Sequence, residues 1–156
     1  MKTQLLTYLA TLKAEDISAL EKLEDETRLS FWGRDNYRRF LEEFPEYFGC
    51  KVVVVADGAR KQLGGFILAR SLFENLEVLK VGVLPKFQRQ GFGTSLMQAA
   101  YAEGIRRGCR RCFLEVRKSN ESAIQFYYGQ NFRIAGTRLN YYTDPTEDAW
   151  IMERWL

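Results

Sequence analysis

The stretch from Leu76 to Arg117 constrains this chain more than any other. "LEVLKVGVLP" alternates in the two-residue rhythm of a strand, "GTSLMQAAYAEGIRRG" brings Leu96, Met97, Ala100, Tyr101 and Ile105 round at helical spacing, and "RCFLEVR" alternates again. Gly108 is the natural stop of the helix, which spans Gly93 to Arg107. A strand, a helix and a strand in that order form a crossover packed on one sheet, so the chain belongs to the mixed α/β class.

The flanks extend the same layers. "QLLTYLATL" reads as a first strand, and Ile17, Leu20 and Leu23 recur at helical spacing behind a cap at Asp16. "DNYRRFLEEF" predicts a second helix, ended by Pro45. "KVVVVADGARKQLGGFILARSL" is two β-rich runs around a hairpin at "DGARKQ". "SNESAIQFYYGQNF" opens on a cap-like Ser119-Asn120 pair and predicts a helix to about Gln130, after which "NFRIAGTRL" and "EDAWIMERWL" close the chain as two strands. One domain over residues 1–156 is expected, with no repeat or linker.

A chain of 156 residues can bury a core without a metal or a disulfide. No apolar run approaches the roughly 20 residues that span a bilayer, and "MKTQLLTYLATLKAED" lacks the apolar core of a signal peptide, so the expected address is cytoplasmic. Lys and Arg outnumber Asp and Glu by 23 to 20, too small a surplus to imply nucleic acid. The basic residues bunch locally in "GIRRGCRRC" and "PKFQRQGFG", which suits a single polyphosphate better than a duplex. Histidine is absent, which excludes a Ser-His-Asp triad, a Cys-His pair and His-based zinc sites. Acid-base work then falls to carboxylates, Tyr, Lys or Cys. Cys109 and Cys112 form a CxxC without a second ligand pair, and Cys112 alternates with Leu114 and Val116, so the cysteines read as core and no metal is expected.

The segment "QRQGFGTS" (88–95), between the fourth strand and the helix, has the glycine content of an anion loop. A P-loop needs Lys after the last glycine, and none follows. A dinucleotide fingerprint needs a third small residue where Leu96 stands and a tight strand-to-helix turn, whereas Gly91 lies seven residues beyond Leu84; Glu115 would supply its acid, but too little chain follows for the second half of such a fold. The remaining reading is a pyrophosphate held by successive backbone N–H groups at the helix N-terminus, with Gly91 and Gly93 allowing close approach and Gln88 and Arg89 adding donors.

"VGVLPKFQRQGFGTSL" resembles the acetyl-CoA signature of the GNAT N-acetyltransferases, with Gln88, Gly91 and Gly93 filling the pattern. "LEVRKSNESAIQFYYGQNF" and "RLNYYTDPTEDAWIM" are similar to the RimI branch of that family, the alanine N-acetyltransferases that act on the N-terminus of ribosomal protein S18. The resemblance implies the GNAT fold, an α/β mixed sheet of about seven strands and four helices with a splayed central strand pair. It implies acetyl-CoA as co-substrate, with cofactor contacts from Val81, Gly82, Val83, Gln88, Arg89, Gln90, Gly91, Phe92, Gly93, Thr94 and Asn120. It implies Glu115 as general base and Tyr127 as general acid, and a substrate groove lined by Phe31, Trp32, Tyr141 and Tyr142. Gly82 inside a strand also marks a bulge or a close approach on its own account.

This chemistry makes demands that can be checked. An amine attacks only when neutral, and a peptide α-amino group near pKa 7.7–8.0 needs only a modest base. A carboxylate serves better when partly dry, so Glu115 should lie in a sheltered groove rather than on a solvated strand face. A phenol near pKa 10 protonating a thiolate near 8.5 works uphill by roughly 2 kcal/mol, which a positioned hydrogen bond covers. The chain departs from the branch at "GQNF", where Asn131 replaces a glycine in a left-handed helix end, and at "LSFWGRDNY", which lacks the proline before Trp32. A small amine or polyamine acceptor on the same scaffold, or a CoA-binding domain without catalysis, are the other readings.

Overall fold

The computed structural model of the chain describes residues 5–27, 29–56 and 60–156. Its elements run β1 (Leu6–Thr11), α1 (Ile17–Thr27), α2 (Arg34–Glu42), β2 (Tyr47–Ala56), β3 (Arg60–Leu72), β4 (Asn75–Val83), α3 (Phe92–Arg106), β5 (Arg111–Arg117), α4 (Glu121–Gly129), β6 (Arg133–Thr143) and β7 (Thr146–Trp155). The strands form one sheet in the order β1-β2-β3-β4-β5-β7-β6. Among the described residues only β4 and β5 pair in parallel, joined by the α3 crossover. Residues 57–59 of the expected hairpin loop and Gln4 of the expected first strand lie outside the described residues. No helix among those described is long and apolar enough to cross a membrane.

α1 and α3 pack on opposite faces of the sheet. Successive strand residues face opposite ways: a Cβ on Gly82 would meet Leu23 and Leu29 on the α1 side, while the neighbouring Val83 shares with Gly65 the face covered by Leu96 of α3. Helix ends follow the expected chemistry. Gly108 is left-handed at φ 86° beyond α3, and Asn131 is left-handed at φ 63° beyond α4, with the Phe132 N–H donating to the Tyr127 carbonyl at 3.0 Å. The Asn120 carboxamide caps α4 by accepting the Ala123 N–H at 3.2 Å.

Three expectations change. Ile105 is 56% exposed rather than packed on the sheet. The helix meets the sheet at Gly104, where a Cβ would come within 2.9 Å of Leu76, and the next residue is turned about 100° away from that contact. Asp16 is not a simple cap for α1, because it closes a 3-10 turn at Ala14–Asp16, accepts the Lys13 N–H at 2.9 Å and pairs with Lys51 at 2.5 Å. β6 runs four residues past Leu139, so Tyr141 and Tyr142 are strand residues.

β4 carries the feature that matters most for the site. Its pairing to β3 slips between Leu68 and Ala69, which oppose Lys80 and Val78, leaving Leu79 as an extra residue. The bulge therefore sits at Leu79, while Gly82 answers to the close approach of Leu23 and Leu29. One inserted residue turns the strand over. Leu76 and Val78 are buried on the α3 side, whereas Lys80 and Gly82 are buried on the α1 side.

Candidate active site

The parallel pairing of β4 with β5 extends from Asn75–Arg111 only to Val78–Leu114. Beyond it the strands part, and a groove of 640 Å³ opens between Leu79–Val81 and Glu115–Arg117. Because this gap pierces the sheet, side chains reach it from both faces. Leu29, Ser30 and Phe31 line it from the α1 side, Asn120, Ala123 and Tyr127 from α4, and Tyr141 through Asp144 from the β6–β7 hairpin.

Glu115 faces away from Leu114, as strand alternation requires, but it faces into the groove. Its side chain is 17% exposed, which meets the demand for a sheltered carboxylate. The Arg138 guanidinium forms an ion pair with this carboxylate, its Nε 2.6 Å from one oxygen, and the Tyr141 hydroxyl donates to the same carboxylate. That hydrogen bond, followed by burial and the carboxylate's charge, pushes the Tyr141 phenol up to about 12. Tyr127 is buried between Phe126 and Phe132, with ring centroids 5.5 and 5.7 Å away. Burial drives its phenol well above the ordinary tyrosine value, so the hydroxyl keeps its proton at any working pH.

The other predicted residues divide by position. Phe31, Val81, Asn120, Tyr141 and Tyr142 share the groove with Glu115 and Tyr127. Gly82 and Val83 lie beyond its lining; residues 88–91 form the turn into α3, and Phe92, Gly93 and Thr94 open the helix. There Arg89 (φ 61°) and Gly91 (φ 85°) are left-handed, nothing stands within 4 Å of where a Gly91 Cβ would be, and the first N–H groups of α3 point out of the helix without intrahelical acceptors. This open cradle fits a pyrophosphate. Gln88 is placed differently from expectation: its carboxamide donates to the Val83 carbonyl at 3.1 Å and braces the end of β4. Gln90 donates to the Lys86 carbonyl, the Thr94 hydroxyl accepts from Gln130, and the Phe92 ring stacks on Phe87 in the core, which leaves only its backbone for a ligand.

Trp32 is absent from the groove wall. Its ring packs on Tyr37 and Phe40, each 5.6 Å away, and on the ammonium of Lys80 at 5.3 Å. Sequence reasoning missed Arg138, Arg117 and Lys80. Lys80 alone left a signal, a charged residue in the otherwise apolar or small series Leu76, Val78, Gly82.

Residues 17–132 match the sequence pattern of the acetyltransferase (GNAT) family. The chain belongs to that family. It is an acyltransferase, an N-acetyltransferase by the resemblance of its relatives. A Bacillus subtilis chain provisionally named a ribosomal protein bS18-alanine N-acetyltransferase is 30% identical over 152 residues, which is 97% of this chain and 96% of that one. The crystal structure of the ribosomal-protein-S18-alanine N-acetyltransferase from Escherichia coli superposes with a TM-score of 0.82 at 27% identity, covering 96% of this chain and 94% of that one. The NatC complex bound to Gag peptide and CoA superposes at 0.84 with 20% identity over 96% of this chain and 98% of that one, a likeness of fold. The splayed strand pair, read from resemblance, is present in the GNAT arrangement.

Proposed function

We propose that this chain, acting as one domain in the cytoplasm, uses acetyl-CoA to acetylate the α-amino group of a protein N-terminus. The observation that carries the reading is the groove through the splay, into which Glu115 and Tyr127 project from opposite sides of the sheet gap. A cut through the sheet gives an extended acceptor and a thioester separate approaches to one point, as direct transfer without a covalent enzyme intermediate requires.

In this reading Glu115 takes the proton of the incoming ammonium, directly or through water, from a carboxylate already oriented by Arg138 and Tyr141. The hydroxyl of Tyr127, held neutral by burial, hydrogen-bonds the departing sulfur and protonates it. The first turn of α3, with Arg89 and Gly91 shaping the loop before it, holds the pyrophosphate. Backbone of Val81 and Val83 on the unpaired side of β4 receives the pantetheine arm, with Gly82, Gln90, Phe92, Gly93 and Thr94 contributing main chain and Asn120 its carboxamide.

The name of the Bacillus relative makes an alanine N-terminus of ribosomal protein bS18 the first acceptor to try. Free CoA should be released from acetyl-CoA when a peptide beginning Ala-Arg-Tyr is present and not when it is omitted. Glu115→Gln and Tyr127→Phe should each lower kcat/KM by about 10²-fold. Turnover of spermidine but no peptide would replace this reading with a polyamine acetyltransferase, and acetyl-CoA binding without turnover of any amine would leave a binding domain. Both variants retaining full kcat/KM across pH would refute the roles given to these two residues.

A further inference from the structure

The best-buried charges in the described residues lie beside the groove, outside the chemistry described above. Glu24 of α1 is 1% exposed and Lys80 of β4 is 6% exposed, and the two form an ion pair. The Tyr37 hydroxyl donates to Glu24 Oε1 at 2.5 Å, Lys80 Nζ also donates to the Ser30 carbonyl, and the Trp32 N–H approaches Glu24 Oε2 at 3.5 Å. The ammonium sits over the rings of Trp32 and Tyr37 at 5.3 and 5.6 Å. Everything the pair touches besides β4 and its helix partners belongs to the segment between α1 and α2. Ser30 and Trp32 are bound; Phe31 between them is 74% exposed and lines the groove, with its ring against Gly33, whose φ of 80° lets the chain turn into α2.

Such a pair is a poor way to gain stability, because the desolvation of two charges offsets their attraction and a well-packed apolar pair does as well or better. What apolar side chains cannot do is bond the Ser30 carbonyl and the Trp32 N–H. We propose that Glu24 and Lys80 are positioning residues for the acceptor: their ion pair fixes the Leu29–Trp32 segment and sets Phe31 as the wall met by the first side chain of the acceptor peptide. The acceptor role rests on the function proposed above. The Leu79 bulge is what makes it possible, since without the extra residue Lys80 would point to the α3 side. Burial lowers the Lys80 ammonium below its ordinary value while Glu24 counteracts that pull, in keeping with a cation kept for its partners.

Two measurements test this. Backbone amide exchange on the unmodified protein should show the amides of Leu29 and Trp32, which donate to the Glu24 carbonyl and carboxylate, protected with the core although they lie in a connecting segment; exchange as fast as an exposed loop would overturn the positioning role. The double variant Glu24→Gln with Lys80→Met removes both charges without leaving one stranded, and removes the donor to Ser30. It should exchange these amides about tenfold faster or more, raise KM for the Ala-Arg-Tyr peptide by about tenfold, and leave kcat and KM for acetyl-CoA within about twofold, the pattern of lost acceptor binding. An unchanged peptide KM in the folded variant, or an equal rise in KM for acetyl-CoA, would overturn the assignment to the acceptor. Failure of the unmodified protein to acetylate any peptide would instead remove the functional reading and the acceptor role with it, while amide exchange still decides whether the pair holds the segment.

Discussion

The two rims of the groove are held by opposite means. The Leu29–Trp32 rim hangs on one dry ion pair, with both charges almost fully buried. The β6–β7 hairpin rim is tied by Arg117, whose side chain is 29% exposed and donates to the Asp144 carbonyl at 3.3 Å, the Pro145 carbonyl at 3.2 Å and Glu147 at 3.2 Å while lying over the Tyr142 ring at 4.1 Å. Glu147 accepts the Ser119 N–H at 2.6 Å, and Asp148 accepts from Asn140 at 2.9 Å and Lys118 at 3.2 Å. Several half-wet contacts can be lost one at a time. A single buried pair goes as a unit, because the charge left behind has no water to turn to.

The largest effect separates the rims by stability. Lys80→Ala strands the Glu24 carboxylate and should cost about 3–5 kcal/mol, whereas Arg117→Ala should cost about 1 kcal/mol or less and less still at high salt. Urea unfolding of the two variants checks this, and equal losses would break the contrast between dry and wet rims.

A smaller effect concerns the wet rim and the chemistry. Arg138→Ala removes one of the two groups that orient Glu115, and should lower kcat/KM for peptide by about tenfold with little loss of stability. Initial rates across peptide concentration decide it. A faster enzyme would mean that Arg138 competes with the incoming amine for the carboxylate instead of aiming it.

The smallest effect is alkaline. The Tyr141 phenol titrates near 10 when free and is pushed up to about 12 in the fold, so the folded state holds its proton more tightly. Its contribution to stability is complete below pH 10 and disappears as pH climbs through about 12. Tyr141→Phe should therefore narrow its stability deficit relative to the parent across that window. Thermal melts between pH 9 and 11.5 would show it, and a constant deficit would mean that the hydroxyl is not bonded to Glu115.

Much of this was legible in the sequence, and the omissions share a cause. The crossover, the two left-handed helix ends and the alternation of Cys112, Leu114 and Val116 are local facts, fixed by residues a few positions apart. The loop glycines and the position of Glu115 in "LEVR" were readable for the same reason. What the pattern hid was long-range. Lys80 and Glu24 are 56 positions apart, and nothing near either predicts the other. The alternation of β4 looks unbroken because the bulge at Leu79 moves burial from one face to the other without disturbing its rhythm. Trp32 was misplaced because an aromatic beside a groove residue can turn inward as readily as outward, and the buried cation drew it in. Ile105 was misplaced because a glycine neighbour, not an apolar side chain, makes the helix contact.

The slip at Leu79 also bears on how such an enzyme can diversify. The buried Leu76 and Val78 of the first half of β4 face the crossover helix, whereas the buried Lys80 and Gly82 of its second half face the α1–α2 layer, so a substitution at Lys80 or Gly82 is not felt as a packing fault at Leu76 or Val78. The rim beside Phe31 can therefore be reshaped from Lys80 and Gly82 without a new contact on the helix that follows the Gly91 turn.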